Sequence, residues 1–268
     1  MKVWEKIYGA VADRIVEQDR LFELAYLRFG QARRWLVEQV RLNPRWLVSE
    51  IGYGQGYLTM ELALALKTGK VIGIDLLGEW FNYRVTRWIA TRMGLKERIA
   101  LATSSSTRLP FREETFDAVV SFLALQDIKK TMDNEGVLKT VAEACRIVKK
   151  NGTIALADDS FPSCRPQGDQ GTLFDAIKYH WYGLLPSTEE IIECMERNGI
   201  PDVKVLTYHV KERLPPKDAE RELRLSVEWV KPLKVKVDFD NFWKEVSHIV
   251  IEQGRIFPQV ILLLGTKA

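Results

Sequence analysis

Glu50-Ile51-Gly52-Tyr53-Gly54-Gln55-Gly56 is the stretch on which the reading turns. It lies where an apolar run, Trp46 to Ile51, gives way to a helical pattern, Tyr57 to Lys67. Glycine adopts backbone angles closed to other residues, so glycines at alternate positions allow a tight strand-to-helix turn. Lacking side chains, they also let a ligand lie against the backbone and the free amides that a helix start exposes. The next apolar run ends in Val71-Ile72-Gly73-Ile74-Asp75, and Asp75 follows Gly56 by 19 residues. A carboxylate in that position can accept hydrogen bonds from a ribose diol. Together the loop and the acid describe a cofactor that contains adenosine. A nicotinamide dinucleotide loop expects Gly-x-Gly-x-x-Gly, a spacing that positions 52, 54 and 56 do not follow.

Outward from this loop, short apolar runs alternate with helical segments, the pattern of a mostly parallel sheet covered by helices on both faces. Strands are predicted at Trp46 to Ile51, Lys70 to Ile74, Ile99 to Ala102, Ala118 to Phe122 and Thr153 to Ala157. Helices are predicted at Tyr57 to Lys67, Trp80 to Met93 and Asn134 to Lys149. Ser187-Thr188-Glu189-Glu190 has capping-box spacing and opens a helix that Gly199 stops. Val203 to Val210 and Pro258 to Gly265 read as the last two strands, and the segment between them is too long for a hairpin turn. The fold class is therefore α/β: a Rossmann-like, doubly wound sheet of about seven strands, with an antiparallel last strand implied by the family resemblance given below.

The chain divides into an N-terminal helical cap or lid (residues 1–42), a core (43–210), a helical insertion (211–255) and a final core strand (256–268). In the cap, one or two amphipathic helices over residues 3 to 29 precede a second helical stretch, Gln31 to Val40. In the insertion, Asp218 to Trp229 and Asp240 to Gln253 look helical, while Leu233, Val235, Val237 and Phe239 alternate like an extended segment.

Composition narrows the partners. Lys plus Arg number 39 against 36 Asp plus Glu, and a net charge of +3 is too mild to announce a nucleic-acid protein. Three widely separated cysteines, Cys145, Cys164 and Cys194, form no Cys-x-x-Cys pair and imply no disulfide framework, which fits a reducing cytoplasm. No apolar run approaches the ~20 residues of a membrane span, so neither export nor anchoring is expected. The acidic residues Glu5, Asp13, Glu17 and Asp19 disfavour a membrane-surface role for the N-terminal helices.

The loop, with its leading acid and Gly-x-Gly-x-Gly, resembles the first motif of the class I S-adenosylmethionine-dependent methyltransferases. The resemblance extends over roughly residues 45 to 160. Leu109-Pro110-Phe111 and Phe116-Asp117-Ala118-Val119-Val120-Ser121 look like the family's approach to its fourth strand. Lys150-Asn151-Gly152 stands where Lys-Pro-Gly is common before the fifth. The branch that looks most similar contains the quinone-biosynthesis C-methyltransferases and many small-molecule enzymes.

The resemblance implies a role for each matching residue. Glu50, Gly52, Gly54 and Gly56 would line the methionine part of S-adenosyl-L-methionine, and Asp75 would hold the ribose hydroxyls. Leu76 would pack on the adenine, and Ser121 and Phe122 would border the transferable methyl group. Tyr53, within the loop, and Ser104, beside Ser105, complete the cofactor-binding set. The product would be S-adenosyl-L-homocysteine. One departure stands out: Ser105 occupies the place where many relatives carry an Asp that accepts a bond from the adenine amino group. Losing a charged acceptor there costs about 1 kcal/mol.

On the acceptor side, the strand ends carry Gln126, Asp127, Asp158 and Asp159. Tyr179-His180-Trp181-Tyr182 is a further candidate wall, together with Tyr8 or Tyr26, and His180 is the candidate catalytic residue. No metal is assigned, since methyl transfer from a sulfonium does not require one. The expected function is methyl transfer by in-line displacement to a small-molecule acceptor. The alternatives are RNA or protein methylation and a non-catalytic regulatory protein that binds the cofactor. The RNA reading lacks an Asn-Pro-Pro-Tyr or Asp-Pro-Pro-Tyr sequence after the fourth strand, where this chain reads Ser121-Phe122-Leu123-Ala124. The insertion either extends the acceptor pocket or forms the contact of a homodimer.

Overall fold

The computed structural model describes residues 20–76, 83–230 and 236–268. Its centre is a sheet of seven strands: β1 (Leu47–Ile51), β2 (Lys70–Asp75), β3 (Ile99–Thr103), β4 (Phe116–Phe122), β5 (Val148–Asp158), β6 (Lys204–Tyr208) and β9 (Val260–Thr266). The spatial order is β3-β2-β1-β4-β5-β9-β6. The first five pair in parallel, whereas β9 slots antiparallel between β5 and β6. This is the doubly wound sheet that the apolar runs predict, with the antiparallel last strand that the family resemblance implies. The order reverses between β1 and β4, the crevice where open sheets of this kind bind ligands.

Alternation along each strand feeds two apolar layers. In β4, Ala118 and Val120 face one layer, with Leu36, Leu62 and Ile89, and Val119 faces the other, with Val137, Val141 and Met195. The first layer is covered by α1 (Arg20–Val40), α2 (Tyr57–Ala65) and α3 (Tyr83–Arg92), the second by α4 (Leu125–Ile147) and α6 (Thr188–Arg197). In α1, Ala32, Leu36 and Val40 recur every four residues and are all buried. Each large aliphatic side chain so buried is worth about 1.5–3 kcal/mol. A capping box opens α6, where the Ser187 hydroxyl accepts from the Glu190 amide and the Glu190 carboxylate accepts from the Ser187 amide.

Some local expectations change. The break expected before Gln31 is absent, because α1 runs unbroken from Arg20 through Gly30 to Val40. The expectations for residues 1–19, and for Leu233 and Val235, lie outside the described residues. The helix expected from Asn134 begins there, after a break at Asp133, whose φ is 57°, and a further, unexpected helical stretch from Leu125 precedes it.

A third core lies beside the sheet. Between β6 and β9, α7 (Pro216–Val230) and α8 (Phe239–Gln253) are joined at their base by the short pair β7 (Arg213–Leu214) and β8 (Arg255–Ile256). Leu223, Phe242, Val246 and Phe257 pack there with Leu173 and Ile177 of α5 (Gly168–Ile177) and with Trp181 of the wide π-helical turn Lys178–Tyr182. Thus the segment between the last two strands folds onto the loop that follows β5. Among the described residues, no helix is long and apolar enough to cross a membrane.

Candidate functional site

The loop after β1 turns through three glycines with positive φ, 76° at Gly52, 49° at Gly54 and 80° at Gly56. Two are packing requirements: a Cβ on Gly52 would come within 2.2 Å of Ala124 Cβ, and one on Gly56 within 2.4 Å of Thr86 Cγ2. Gly54 differs, since nothing lies within 4 Å of where its Cβ would be. Its backbone borders open space. Helix α2 then starts at Gly56 with no side-chain cap, which leaves first-turn amides for a ligand.

Asp75 ends β2 beside this loop. Its carboxylate accepts from the Gly54 amide (2.8 Å) and from the Leu76 amide (2.8 Å), so the loop and the acid are held together. Burial pushes its pKa up to about 6, against the lowering effect of those two amides. Leu76 follows with its side chain 45% exposed, unusual for leucine and suited to lie against a flat ring. Glu50 is buried beneath the loop and accepts from the Thr59 hydroxyl. Burial raises its pKa to about 8, opposed by the Thr59 bond, with Asp75 adding to the rise. Tyr53 is buried with its ring against Gly73.

Of the remaining residues expected at the cofactor, Ser104 donates its amide to the Asp75 carbonyl at 2.9 Å, and Ser105 shares a hydrogen bond with Thr107 at 2.8 Å. Ser121 is fully buried and donates its hydroxyl to the Ile51 carbonyl at 3.0 Å, so it ties β4 to β1 rather than presenting its hydroxyl outward. Phe122 meets the edge of Phe29 from α1, with ring centroids 6.2 Å apart, and Phe29 meets Phe257 at 6.4 Å. His180 packs against Trp181 and Phe242, with its Nε2 3.5 Å from Glu245 Oε1. Those contacts belong to the third core, not to the glycine loop.

The ends of β4 and β5 hold a polar cluster that the sequence names only in part. Lys178, 4% exposed, donates to Gln126 Oε1 (3.1 Å), Asp159 Oδ1 (2.9 Å) and Ser160 Oγ (2.5 Å). Its ammonium also lies 5.3 Å from the ring centres of Phe174 and Tyr182. Asp158 accepts from the amides of Gln126 (3.3 Å) and Ser160 (3.0 Å). Burial first and Asp159 second raise its pKa to about 7, while Lys178 opposes them. Sequence reading missed Lys178, whose partners lie 18 to 52 residues away along the chain.

Residues 49–156 match a family model described as a methyltransferase domain. Over this segment the chain is similar to methyltransferases. A demethylmenaquinone methyltransferase of Symbiobacterium thermophilum is 27% identical over 140 residues, 51% of this chain and 53% of that protein. The erythromycin 3''-O-methyltransferase of Saccharopolyspora erythraea is 25% identical over 136 residues, 51% of this chain and 42% of that protein. The chain therefore matches about half the length of these curated methyltransferases. A crystal structure of a candidate methyltransferase from Bacillus halodurans C-125 shares the fold more widely. Its TM-score is 0.59 at 21% identity, covering 89% of this chain and 99% of that one. The matched segment, residues 49–156, contains the whole glycine loop, Asp75 and β4.

Proposed function

We propose that the protein is an S-adenosylmethionine-dependent methyltransferase that acts on a small, largely apolar acceptor. The observation that carries this reading is the joined unit of Gly54 and Asp75, with open space over one and the exposed Leu76 beside the other. These residues fit the cofactor. When bound, S-adenosylmethionine supplies a methyl group already activated as a sulfonium.

The chain's own residues then have distinct tasks. The Gly52–Gly56 backbone and the start of α2 would receive the methionine part, Asp75 the ribose hydroxyls, and Leu76 one face of the adenine. Ser105, whose hydroxyl shares a bond with Thr107, offers an uncharged acceptor to the adenine edge. Glu50 supports the loop from below rather than from the ligand side, since its carboxylate is engaged by Thr59. Phe29, Phe122 and Phe257 bring aromatic edges together at the end of β4, which favours an apolar acceptor and keeps water from the reacting atoms. The named activities of the two relatives, on a demethylmenaquinone and on an erythromycin, support a small-molecule acceptor. Holding the acceptor in line with the carbon–sulfur bond is the main catalytic demand, because alignment alone supplies much of the rate.

The test is transfer of isotope-labelled methyl from S-adenosylmethionine to a panel of hydroxylated quinols, phenols and macrolides, with labelled RNA and protein as parallel substrates. Label recovered in a small molecule supports the reading. Label recovered only in RNA or protein would replace it.

A further inference from the structure

The overall charge of +3 is small, but the fold does not spread it evenly. The loops that enter β1, β2 and β3 meet at the amino ends of those strands. Thr68 and Gly69 donate their amides to the Pro44 carbonyl (3.0 and 2.8 Å), Lys70 donates its amide to the Trp46 carbonyl (3.0 Å), and Arg98 Nη1 donates to the Leu66 carbonyl (2.9 Å). Register sets Lys70 opposite Leu47 and Ile99 opposite Val71, so the three loops form one surface. Six cations stand on it: Arg41 and Arg45 before β1, Lys67 and Lys70 at the entry to β2, and Lys96 and Arg98 before β3. All but Arg98 are exposed, and those five side chains make no ion pair or hydrogen bond among the described residues. The acids beside them in the chain are Glu97, between Lys96 and Arg98, and Glu38, three residues before Arg41.

Cations gathered without counter-charges repel one another, and an anionic partner turns that repulsion into attraction. A surplus so concentrated suits a partner whose own charges are many and closely spaced. None of the exposed large apolar side chains of the described residues lies on this pole. It therefore lacks both the apolar centre of a protein interface and the apolar face of a helix that lies in a bilayer surface. The glycine loop and Asp75 sit at the other ends of β1 and β2, about 17 Å away along β2 at ~3.3 Å per residue. A bilayer held at this pole would leave the site facing away from the apolar phase in which an apolar acceptor dissolves.

We propose that this pole binds the phosphate backbone of a nucleic acid without reading its bases. Each Arg or Lys that meets a phosphate releases a counterion, so the contact is electrostatic and steeply dependent on salt. The nucleic acid is a platform and not the methyl acceptor, because it is held at the end of the sheet opposite the glycine loop and leaves the cofactor site free. The inference goes beyond small-molecule methyl transfer and draws on that reading only to set the bilayer aside.

Fluorescence anisotropy of a labelled single-stranded RNA of about 20 nucleotides, mixed with the full chain in about 50 to 200 mM KCl, tests the proposal. Neither S-adenosylmethionine nor an acceptor is present, so the outcome is separate from that of the methyl-transfer reading. Micromolar binding is expected at the low end of salt. The logarithm of affinity falls linearly with the logarithm of salt, at a slope of about −4 for six contacts at about 0.7 each. Combining Arg45→Gln, Lys67→Gln and Lys70→Gln lowers affinity about tenfold or more and makes the slope shallower by about 2, while the affinity for S-adenosylhomocysteine is unchanged. Combining Lys211→Gln, Lys217→Gln and Lys244→Gln removes the same charge from exposed positions between β6 and β9 and leaves RNA binding within about twofold. No binding by the native chain at low salt, or equal losses in the two triple variants, overturns the proposal. Phosphatidylserine vesicles and polyglutamate are measured in parallel. Tighter binding to either one, lost in the variant of the strand-end pole, would put a lipid surface or an acidic protein in place of the nucleic acid and overturn it as well.

Discussion

Gly56 lies against Thr86 so closely that a Cβ would come within 2.4 Å of Thr86 Cγ2, while the Thr86 hydroxyl donates to the neighbouring Gln55 carbonyl at 3.1 Å. Helix α3 therefore clasps the far end of the glycine loop, as Ala124 clasps its near end at Gly52. The loop is a rigid part of the sheet edge, pinned at both ends and open at its middle.

This arrangement separates the glycines by experiment. Gly52→Ala and Gly56→Ala combine a clash with a positive φ and are expected to lower stability by about 1–3 kcal/mol each. Gly54→Ala meets no neighbour, and its left-handed backbone costs only about 1–2 kcal/mol. Its methyl group projects from the face assigned to the ligand, so cofactor affinity falls by about tenfold or more, equivalent to about 1.4 kcal/mol. Thermal unfolding and ligand titration of the three variants, side by side, check the contrast.

Buried acids at the site make stability depend on pH in an unusual sense. Glu50 and Asp127 have pKa values raised to about 8, Asp158 to about 7 and Asp75 to about 6. In the unfolded chain these groups lose their protons near pH 4, so between there and about pH 8 the folded state holds more protons than the unfolded one. The slope of stability against pH is then negative, and the ligand-free protein melts at lower temperature at pH 8 than at pH 6. Glu50→Gln or Asp127→Asn should each raise the midpoint at about pH 8 by about 2–4 °C and flatten the slope. A midpoint that climbs with pH over this window would contradict the assignment.

How much of this could be read from the sequence follows from how local each feature is. The strands were legible because Leu47–Ile51, Lys70–Asp75 and Val260–Thr266 are apolar runs buried on both faces of a sheet, and they stand out between polar turns. The glycine loop and Asp75 were legible because one tight turn and one strand end carry them. The unbroken passage of α1 through Gly30 was not, because glycine reads locally as a helix break. Lys178 was hidden inside an aromatic segment that reads as packing. Its role comes from Gln126 at the start of α4 and from Asp159 and Ser160 just after β5.

The third core makes a separate prediction about the segment between β6 and β9. Phe242 is fully buried and meets the face of Trp181 edge-on, with ring centroids 4.3 Å apart. Phe242→Ala is expected to cost about 3–5 kcal/mol by denaturant unfolding, while affinity for S-adenosylhomocysteine is unchanged in the folded fraction. Weakened affinity in folded protein would mean that this core supports the glycine loop directly.

The central claim is that the Gly52–Gly56 loop and Asp75 form one cofactor site, and calorimetric titration with S-adenosylhomocysteine of the native chain and of Asp75→Ala tests it most directly. The account predicts binding in the micromolar range, weakened by the substitution about tenfold or more, or about 1.4 kcal/mol. Absence of binding to the native chain, or equal binding by the two proteins, would contradict it.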